Sequence, residues 1–496
     1  MRRFLAMSAL LVFAWTAAAQ DPARELARIL EQKGVLTGDE LARIEAAGDG
    51  GALGVLTALL YQKGILTREE LARVGDPGSS DTGAHFVPAV ATAPVLAAAP
   101  AQAAQGATHK EAAPVAPVTS SSRLPIQIYG TLLWNSFYNT AGTNVEDIPL
   151  FGTKRGTDPY GNFGMTARQS RFGLRYQGPE FMGATLSGNV ELDLFGGSAA
   201  LPNGVNMDVV RLRLAYGRLD WSHVSIEAGQ DWAVFSPLNP TSLASFAIAP
   251  MAASGNPWIR SPQFRFEWRG DAAKPTRLLL QLAALDPNIG DSSTTAVVDA
   301  RAPGIGERGR GPAVESRLAV VTKISDREAT IGLSGHYNRG DNVGTLAGTT
   351  VTRAVDSWGV NLDYTLPLLS HFNLTGEAFA GRALGLFSVA FNQSVLSVGT
   401  GGEHGVMGWG GWMQGQINFN AKWQMNLAYG LESDDNANLA AGGRDKNQTY
   451  MTNLMYKVSP RMTFAWEWRR FLTNYRNQAT ANAIGDTANM AVAYMF

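Results

Sequence analysis

The segment Gln263-Phe264-Arg265-Phe266-Glu267-Trp268-Arg269 alternates polar and apolar side chains without a break. Successive side chains of an extended chain point to opposite faces. One face here therefore carries Gln, Arg, Glu and Arg, and the other Phe, Phe and Trp. The same period of two returns on both sides of it, at Asn189–Leu194, Arg211–Tyr216, Asn361–Tyr364, Gln424–Tyr429 and Phe464–Arg469. A soluble β-sandwich alternates too, so periodicity alone leaves the class open.

Three further features decide it. Strands read near 125–137, 165–177, 182–194, 208–219, 222–232, 262–269, 276–285, 313–323, 328–338, 354–365, 371–382, 405–419, 421–432, 448–457, 461–471 and 487–496, about sixteen in all, and bacterial barrels have even numbers. Tight turns (Gly178–Phe181, Leu219–Ser222, Ser325–Arg327, Pro367–Ser370, Asn420-Ala421, Val458–Pro460) trade places with long loops (138–164, 195–207, 233–261, 286–312, 339–353, 383–404, 433–447, 472–486). Short turns at one end and long loops at the other are the outer-membrane arrangement. Second, Trp134, Trp268, Trp358, Trp423, Trp466, Trp468, Tyr364, Tyr429 and Tyr494 fall on the apolar parity, as aromatic girdles at the two lipid boundaries require. Third, the chain ends on an alternating strand, Ala488 to Phe496, with an aromatic last residue, resembling the signal read by the outer-membrane assembly machinery. The expectation is an all-β transmembrane barrel of about 16 antiparallel strands over residues 124–496, with a small N-terminal α-helical periplasmic module.

Upstream of the barrel, Arg2 and Arg3 precede an apolar run from Phe4 to Trp15 and then Ala17-Ala18-Ala19-Gln20. This reads as a signal peptide over residues 1–19, because the run is shorter than the ~20 residues of a spanning helix. Residues 20–75 carry a repeat: Gln32-Lys33-Gly34-Val35-Leu36-Thr37-Gly38-Asp39-Glu40 returns as Gln62-Lys63-Gly64-Ile65-Leu66-Thr67-Arg68-Glu69-Glu70. Each copy reads as a helix stopping at glycine, then a helix starting in a capping box (Thr37/Glu40, Thr67/Glu70). Either a plain helical bundle or a periplasmic docking module fits. Residues 76–123, rich in Ala, Pro, Ser and Thr, read as a linker.

The totals agree. Charged residues are 17% of the 496, below the roughly 25% of soluble proteins. Net charge is −1, which calls for no nucleic-acid partner. Cysteine is absent, which removes disulfides and thiolate chemistry, and no cofactor is expected. The six histidines (His85, His109, His223, His336, His371, His404) sit in no nucleophile motif, so an enzyme is not expected. A plugged transporter would need a globular plug, and the helical module is too small for one.

On the polar parity stand Arg171 and Arg175, then Arg211 and Arg213, then Arg265 and Arg269. Six guanidiniums on one wall of a lumen suit carboxylate or phosphate and would favour anions. Glu191, Asp193, Glu227, Asp231 and Glu267 are equally placed to pair with them, which would make a wall of mixed charge. The third long loop, 233–261, is long enough to fold inward and narrow the pore. Asp231 and Arg260, which flank it, are then constriction candidates.

The stretches Ala167-Arg168-Gln169-Ser170-Arg171-Phe172-Gly173-Leu174-Arg175 and Glu227-Ala228-Gly229-Gln230-Asp231-Trp232-Ala233-Val234-Phe235 resemble the DcaP-like trimeric porins. The resemblance implies a sixteen-stranded barrel behind a periplasmic helical extension, a homotrimer, and passage of small anionic organic acids. The repeated hairpin departs from a trimer stalk, since Gly34, Gly48, Gly50, Gly51 and Gly64 interrupt any long heptad run. Phosphate-selective porins, with a similar helical beginning, are the near alternative. The partners expected are outer-membrane lipid, small hydrophilic solutes, a homotrimer, and peptidoglycan through the helical module. The competing function is a structural barrel that tethers the envelope.

Overall fold

The computed structural model describes residues 22–32, 34–47, 51–63, 126–153, 160–197, 208–290, 303–396, 398, 405–476 and 483–496. The expected signal peptide, the linker and the second copy of the helical repeat from residue 64 on lie outside the described residues. The chain divides into a helical unit and a barrel unit.

In the helical unit, α1 (Pro22–Gln32), α2 (Gly38–Glu45) and α3 (Ala52–Gln62) enclose a small core of Ala27, Leu30, Leu36, Ile44, Ala52 and Leu56. Gly34, at φ +69°, supplies the left-handed turn that ends α1. The capping box forms as the sequence predicts: Thr37 Oγ accepts from Glu40 N at 3.4 Å, and Glu40 Oε2 accepts from Thr37 N at 2.7 Å. Lys63 lies 2.9 Å from the same carboxylate, and with the Thr37 amide it holds Glu40 below the usual carboxylate range. Thr37→Ala should cost this unit about 1 kcal/mol. Hydrogen exchange of amides 38–46 in the full chain reads the effect as faster opening, while barrel amides stay unchanged.

The barrel unit contains β1 (Ile126–Asn139), β2 (Asn162–Thr166), β3 (Arg171–Phe181), β4 (Ala184–Asp193), β5 (Arg211–Asp220), β6 (Val224–Trp232), β7 (Arg260–Arg269), β8 (Arg277–Leu285), β9 (Ala313–Ile324), β10 (Arg327–Leu346), β11 (Thr349–Leu369), β12 (Phe372–Arg382), β13 (Met407–Asn418), β14 (Trp423–Asp434), β15 (Arg444–Ser459), β16 (Met462–Tyr475) and β17 (Ala483–Met495). Neighbours pair antiparallel throughout, and β1 pairs with β17 over Thr131–Asn139, which closes the sheet. Closure satisfies every strand's backbone without an edge, the condition for crossing lipid with strands.

The expected strand 165–177 is in fact two. β2 pairs with β1 at Asn135–Asn139 and β3 pairs with it at Ile126–Thr131, so the two share one position and seventeen segments make sixteen staves. The break at Ala167–Ser170 follows from local hydrogen bonding. Ser170 Oγ takes the Leu133 amide at 3.0 Å in place of a ladder carbonyl, and Thr166 Oγ1 takes the Arg168 amide at 3.1 Å.

A second correction concerns residues 339–353, expected to be a long loop. There β10 and β11 run on, 20 and 21 residues long, to a turn at Ala347-Gly348. Glycine and asparagine disguised the alternation. Asn338, Gly340 and Asn342 face inward and are buried, with Asn338 Nδ2 donating to Pro287 O at 2.9 Å and Asn342 Nδ2 to Leu396 O at 3.0 Å.

The side chains sort as alternation predicts. Leu132, Phe172, Leu174, Phe264, Leu282, Leu318, Leu333, Val360, Leu427, Trp466 and Trp468 stand exposed on the outside, while Asn135, Glu191, Arg317, Asn361, Asp363 and Asn453 are buried inside. This inversion of a soluble protein suits lipid outside and a polar lumen. The short connections lie at one end (182–183, 221–223, 270–276, 325–326, 370–371, 419–422, 460–461). The long ones and the 347–348 hairpin lie at the other.

Candidate functional site: an inner loop gripped by the barrel wall

Residues 233–259, between β6 and β7, lie inside the barrel and are nearly all buried. Their contacts move stave by stave around the wall. Glu315 on β9 accepts from the Val234 and Phe235 amides at 2.8 and 2.9 Å. Glu377 on β12 accepts from the Leu238 amide at 2.9 Å and from the Ser236 hydroxyl. Gln414 on β13 accepts from Thr241 N at 2.7 Å, and Asn453 on β15 donates to Thr241 O at 2.8 Å. On β16, Glu467 takes the Ser242 hydroxyl at 2.6 Å and Arg469 gives to Ser245 Oγ at 2.6 Å. Gln169, in the break between β2 and β3, accepts from Phe246 N at 2.7 Å and Ala247 N at 3.1 Å. The return path meets Asn447 and Thr449 on β15, through Ala253 O and Ser254 Oγ. The inner loop is thus a collar whose anchors run from β9 round to β3.

Where the collar meets β3 and β5, it meets the predicted arginines. Arg171 Nη2 donates to Phe246 O, and its guanidinium carbon lies 3.4 Å from the Phe246 ring centroid. Arg211 grips Asp193 with two bonds (3.0 and 2.6 Å) and gives a third to Ala247 O at 2.8 Å. Arg213 bridges Glu191 at 2.6 Å and Asp193 at 2.7 Å. It reaches them through a β-bulge, where the register between β4 and β5 slips at Glu191/Leu192. The bulge breaks the alternation expected of β5, so Tyr216 and Arg218 join the lumen beyond it. Arg260, at the start of β7, is flanked by the Trp232 and Trp258 rings at 5.0 and 5.4 Å. The charges around it include Arg213, Arg211, Arg171, Asp193 and Glu191. Arg260 Nη1 and Arg171 Nε are buried without a hydrogen-bond partner among the described residues.

The remaining candidates form a second group. Arg265 lies 3.3 Å from Asp231 and 3.6 Å from Glu227, and Arg269 lies 2.5 Å from Glu267 and 3.6 Å from Asp220. Arg218, not singled out by alternation, ties Asp220, Glu227 and Glu267 together at 2.9 to 3.2 Å. Arg175 is exposed on the lumen parity, 4.3 Å over the Tyr129 ring. The six arginines share one wall but do not make a bare stripe, and Asp231 and Arg260 stand in different groups. Around the collar, four guanidiniums (Arg171, Arg211, Arg213, Arg260) face two carboxylates (Glu191, Asp193), a net of +2. In the second group three guanidiniums face four carboxylates, a net of −1. Sequence reasoning missed Arg218, Glu315, Glu377 and Gln169. Arg218 needed the bulge to be known, and the others are ordinary lumenal residues until the loop is placed on them.

A closed barrel of sixteen antiparallel staves, apolar outside, polar inside and lined by an infolded third long loop, has the architecture of the outer-membrane porins. Among solved structures it is similar to the outer membrane channel DcaP of Acinetobacter baumannii, with a TM-score of 0.57 and 17% identity over 77% of this chain and 100% of that one. The fold expected from the resemblance is therefore the fold found. Similarity to the anion-selective porin from Comamonas acidovorans is lower, with a TM-score of 0.47 and 12% identity over 75% of this chain and 100% of that one. Similarity to OmpT of Vibrio cholerae has a TM-score of 0.45 and 12% identity over 76% and 99%. No protein-family model and no curated protein matches the sequence.

Proposed function

We propose that the chain is an outer-membrane porin of a Gram-negative bacterium, a passive channel for small hydrophilic solutes whose constriction favours small anions. The observation that carries the anion preference is the charge of the group at the collar, where four guanidiniums share two carboxylates and two buried N–H groups lack an acceptor among the described residues. Guanidiniums in a confined lumen lower the barrier for carboxylate or phosphate and raise it for cations. Assembly as a homotrimer, with the helical unit in the periplasm within reach of peptidoglycan, completes this reading.

The test is the reversal potential of the purified protein in a planar bilayer under a salt gradient. The expected potential lies on the anion side and moves toward zero in the Arg171→Ala/Arg260→Ala double variant. A potential on the cation side overturns the anion preference alone. Absence of any conductance overturns the channel and leaves a structural barrel.

A further inference from the structure

His336, on β10, is buried with its side chain inside the barrel. Its ring packs in a triangle with phenylalanines from two different inner segments. Phe235, at the root of the collar, is 6.0 Å away between centroids, and Phe387, from the segment after β12, is 4.9 Å away and edge-on. The two phenylalanine rings are themselves 4.8 Å apart. Imidazole Nδ1 lies 3.3 Å from Glu315 Oε1, while Nε2 is buried without a hydrogen-bond partner among the described residues. The other oxygen of Glu315 is the one that takes the Val234 and Phe235 amides. One carboxylate is thus shared between the imidazole and the root of the collar.

From this geometry we infer that His336 is a proton-responsive latch: acid releases the root of the collar, and so alters passage through the channel. The first half stands on the geometry, and the second rests on the porin reading. Neutral histidine fits, since an Nδ1–H donates to Glu315 and a bare Nε2 among aromatic rings leaves no donor unsatisfied. Imidazolium adds an N–H at Nε2, where no acceptor stands among the described residues, and a buried donor without an acceptor is costly. Parting Phe235 from Phe387 admits water to that nitrogen. The charged ring also draws Glu315 toward itself and away from the loop amides. Both effects favour the released root at low pH. Attraction between Glu315 and the imidazolium is stronger in the closed, dry clasp and opposes release, and the latch opens because the unsatisfied N–H at Nε2 outweighs it.

Glu377 on β12 is a second carboxylate that holds the root, through the Ser236 hydroxyl and the Leu238 amide, and it is the same in wild type and in the His336 variants. The next lumenal residues on β9 and β11, Arg317 and Asp363, are paired with each other at 2.7 Å. Beside His336, β11 presents Ser357, Gly359 and Asn361, and β10 presents Ser334 and Asn338. The clasping segments 233–236 and 384–389 contain no charged residue. Histidine changes charge in mildly acid conditions, where the lumenal arginines do not.

The test compares the full-length wild type with His336→Phe, which keeps a ring, and His336→Asn, which keeps a donor toward Glu315. Neither substitute takes up a proton. Hydrogen exchange of amides 233–246 is followed at about pH 7.5 and about pH 5, as the ratio of wild type to variant at each pH, so that the intrinsic pH dependence of exchange cancels. The ratio is expected to rise at least about threefold from neutral to acid for both variants. A ratio unchanged with pH overturns the latch, whether or not the protein conducts. Single-channel recordings test the second half: wild-type current should change across the same interval and the variants should stay flat. If the exchange ratio responds but wild-type current does not, the latch stands and its link to passage falls. A heat-dependent shift in gel mobility confirms that each variant is folded.

Discussion

On the porin reading proposed above, replacing Glu377 with alanine should raise unit conductance and make the open channel noisy, with the barrel itself still folded. This carboxylate receives the Leu238 amide, the Ser236 hydroxyl and, at 3.3 Å, the Trp412 indole N–H. Alanine leaves two buried donors without that acceptor, the Leu238 amide and the Trp412 indole, each costing about 1–3 kcal/mol, while the Ser236 hydroxyl keeps the Pro257 carbonyl. The collar can recover that energy only by leaving β12 for water. None of these bonds belongs to the strand ladder, so the β12 pairings with β11 and β13 survive. Glu377→Gln, which keeps one acceptor oxygen, should fall between the two. A Glu377→Ala channel that conducts as quietly as wild type would show that the collar's position does not depend on this anchor.

The largest loss of folded protein is expected from Gly130→Val. Gly130 exchanges two backbone bonds with Phe496, both at 3.1 Å, just where β1 and β17 close the barrel. A Cβ there would meet the Phe496 ring at 2.5 Å and the Arg171 carbonyl oxygen at 2.6 Å. The ring could swing away from its neighbour Phe172, but the carbonyl belongs to the paired β3 backbone and cannot. The cost is on the order of 3 kcal/mol or more, concentrated at the seam. The heat-modifiable band on an unboiled gel should be largely lost for Gly130→Val. It should persist for the outward-facing control Leu132→Val, two residues along β1. Wild-type yield of folded Gly130→Val would show that the seam has slack the geometry does not suggest.

The barrel was legible because its signal is local: Gln263 to Arg269 states its two faces residue by residue, and Phe264 and Arg265 lie as alternation requires. Where glycine and asparagine replace the usual lumenal side chains, as at Gly340 and Asn342, the same periodicity is present but silent. A bulge defeats the reading differently. At Arg213 the extra residue reverses the parity of the rest of β5, and Arg218 comes into the lumen with nothing in the pattern to announce it. The site was legible only in part, since parity tells which side an arginine takes but not its partner. The bond from Arg171 to Phe246 O spans 75 positions in sequence. Gln169 looks like any polar residue in a loop until Phe246 and Ala247 arrive on it.

The collar is held mainly by its peptide groups. Glu315, Glu377, Gln414 and Gln169 take main-chain amides, and Arg171, Arg211, Asn453 and Asn447 give to main-chain carbonyls. Every residue but proline offers these same two groups. Where peptide groups alone make the bond, as at Val234, Leu238 and Ala247, the path of the collar is written in the strands around it, whereas Ser236, Ser242, Ser245 and Ser254 hold it through their own side chains. Two such barrels could differ at those peptide-held positions and keep the same path of the loop, while exchanges of Glu315, Glu377 or Gln169 on the wall would redraw it.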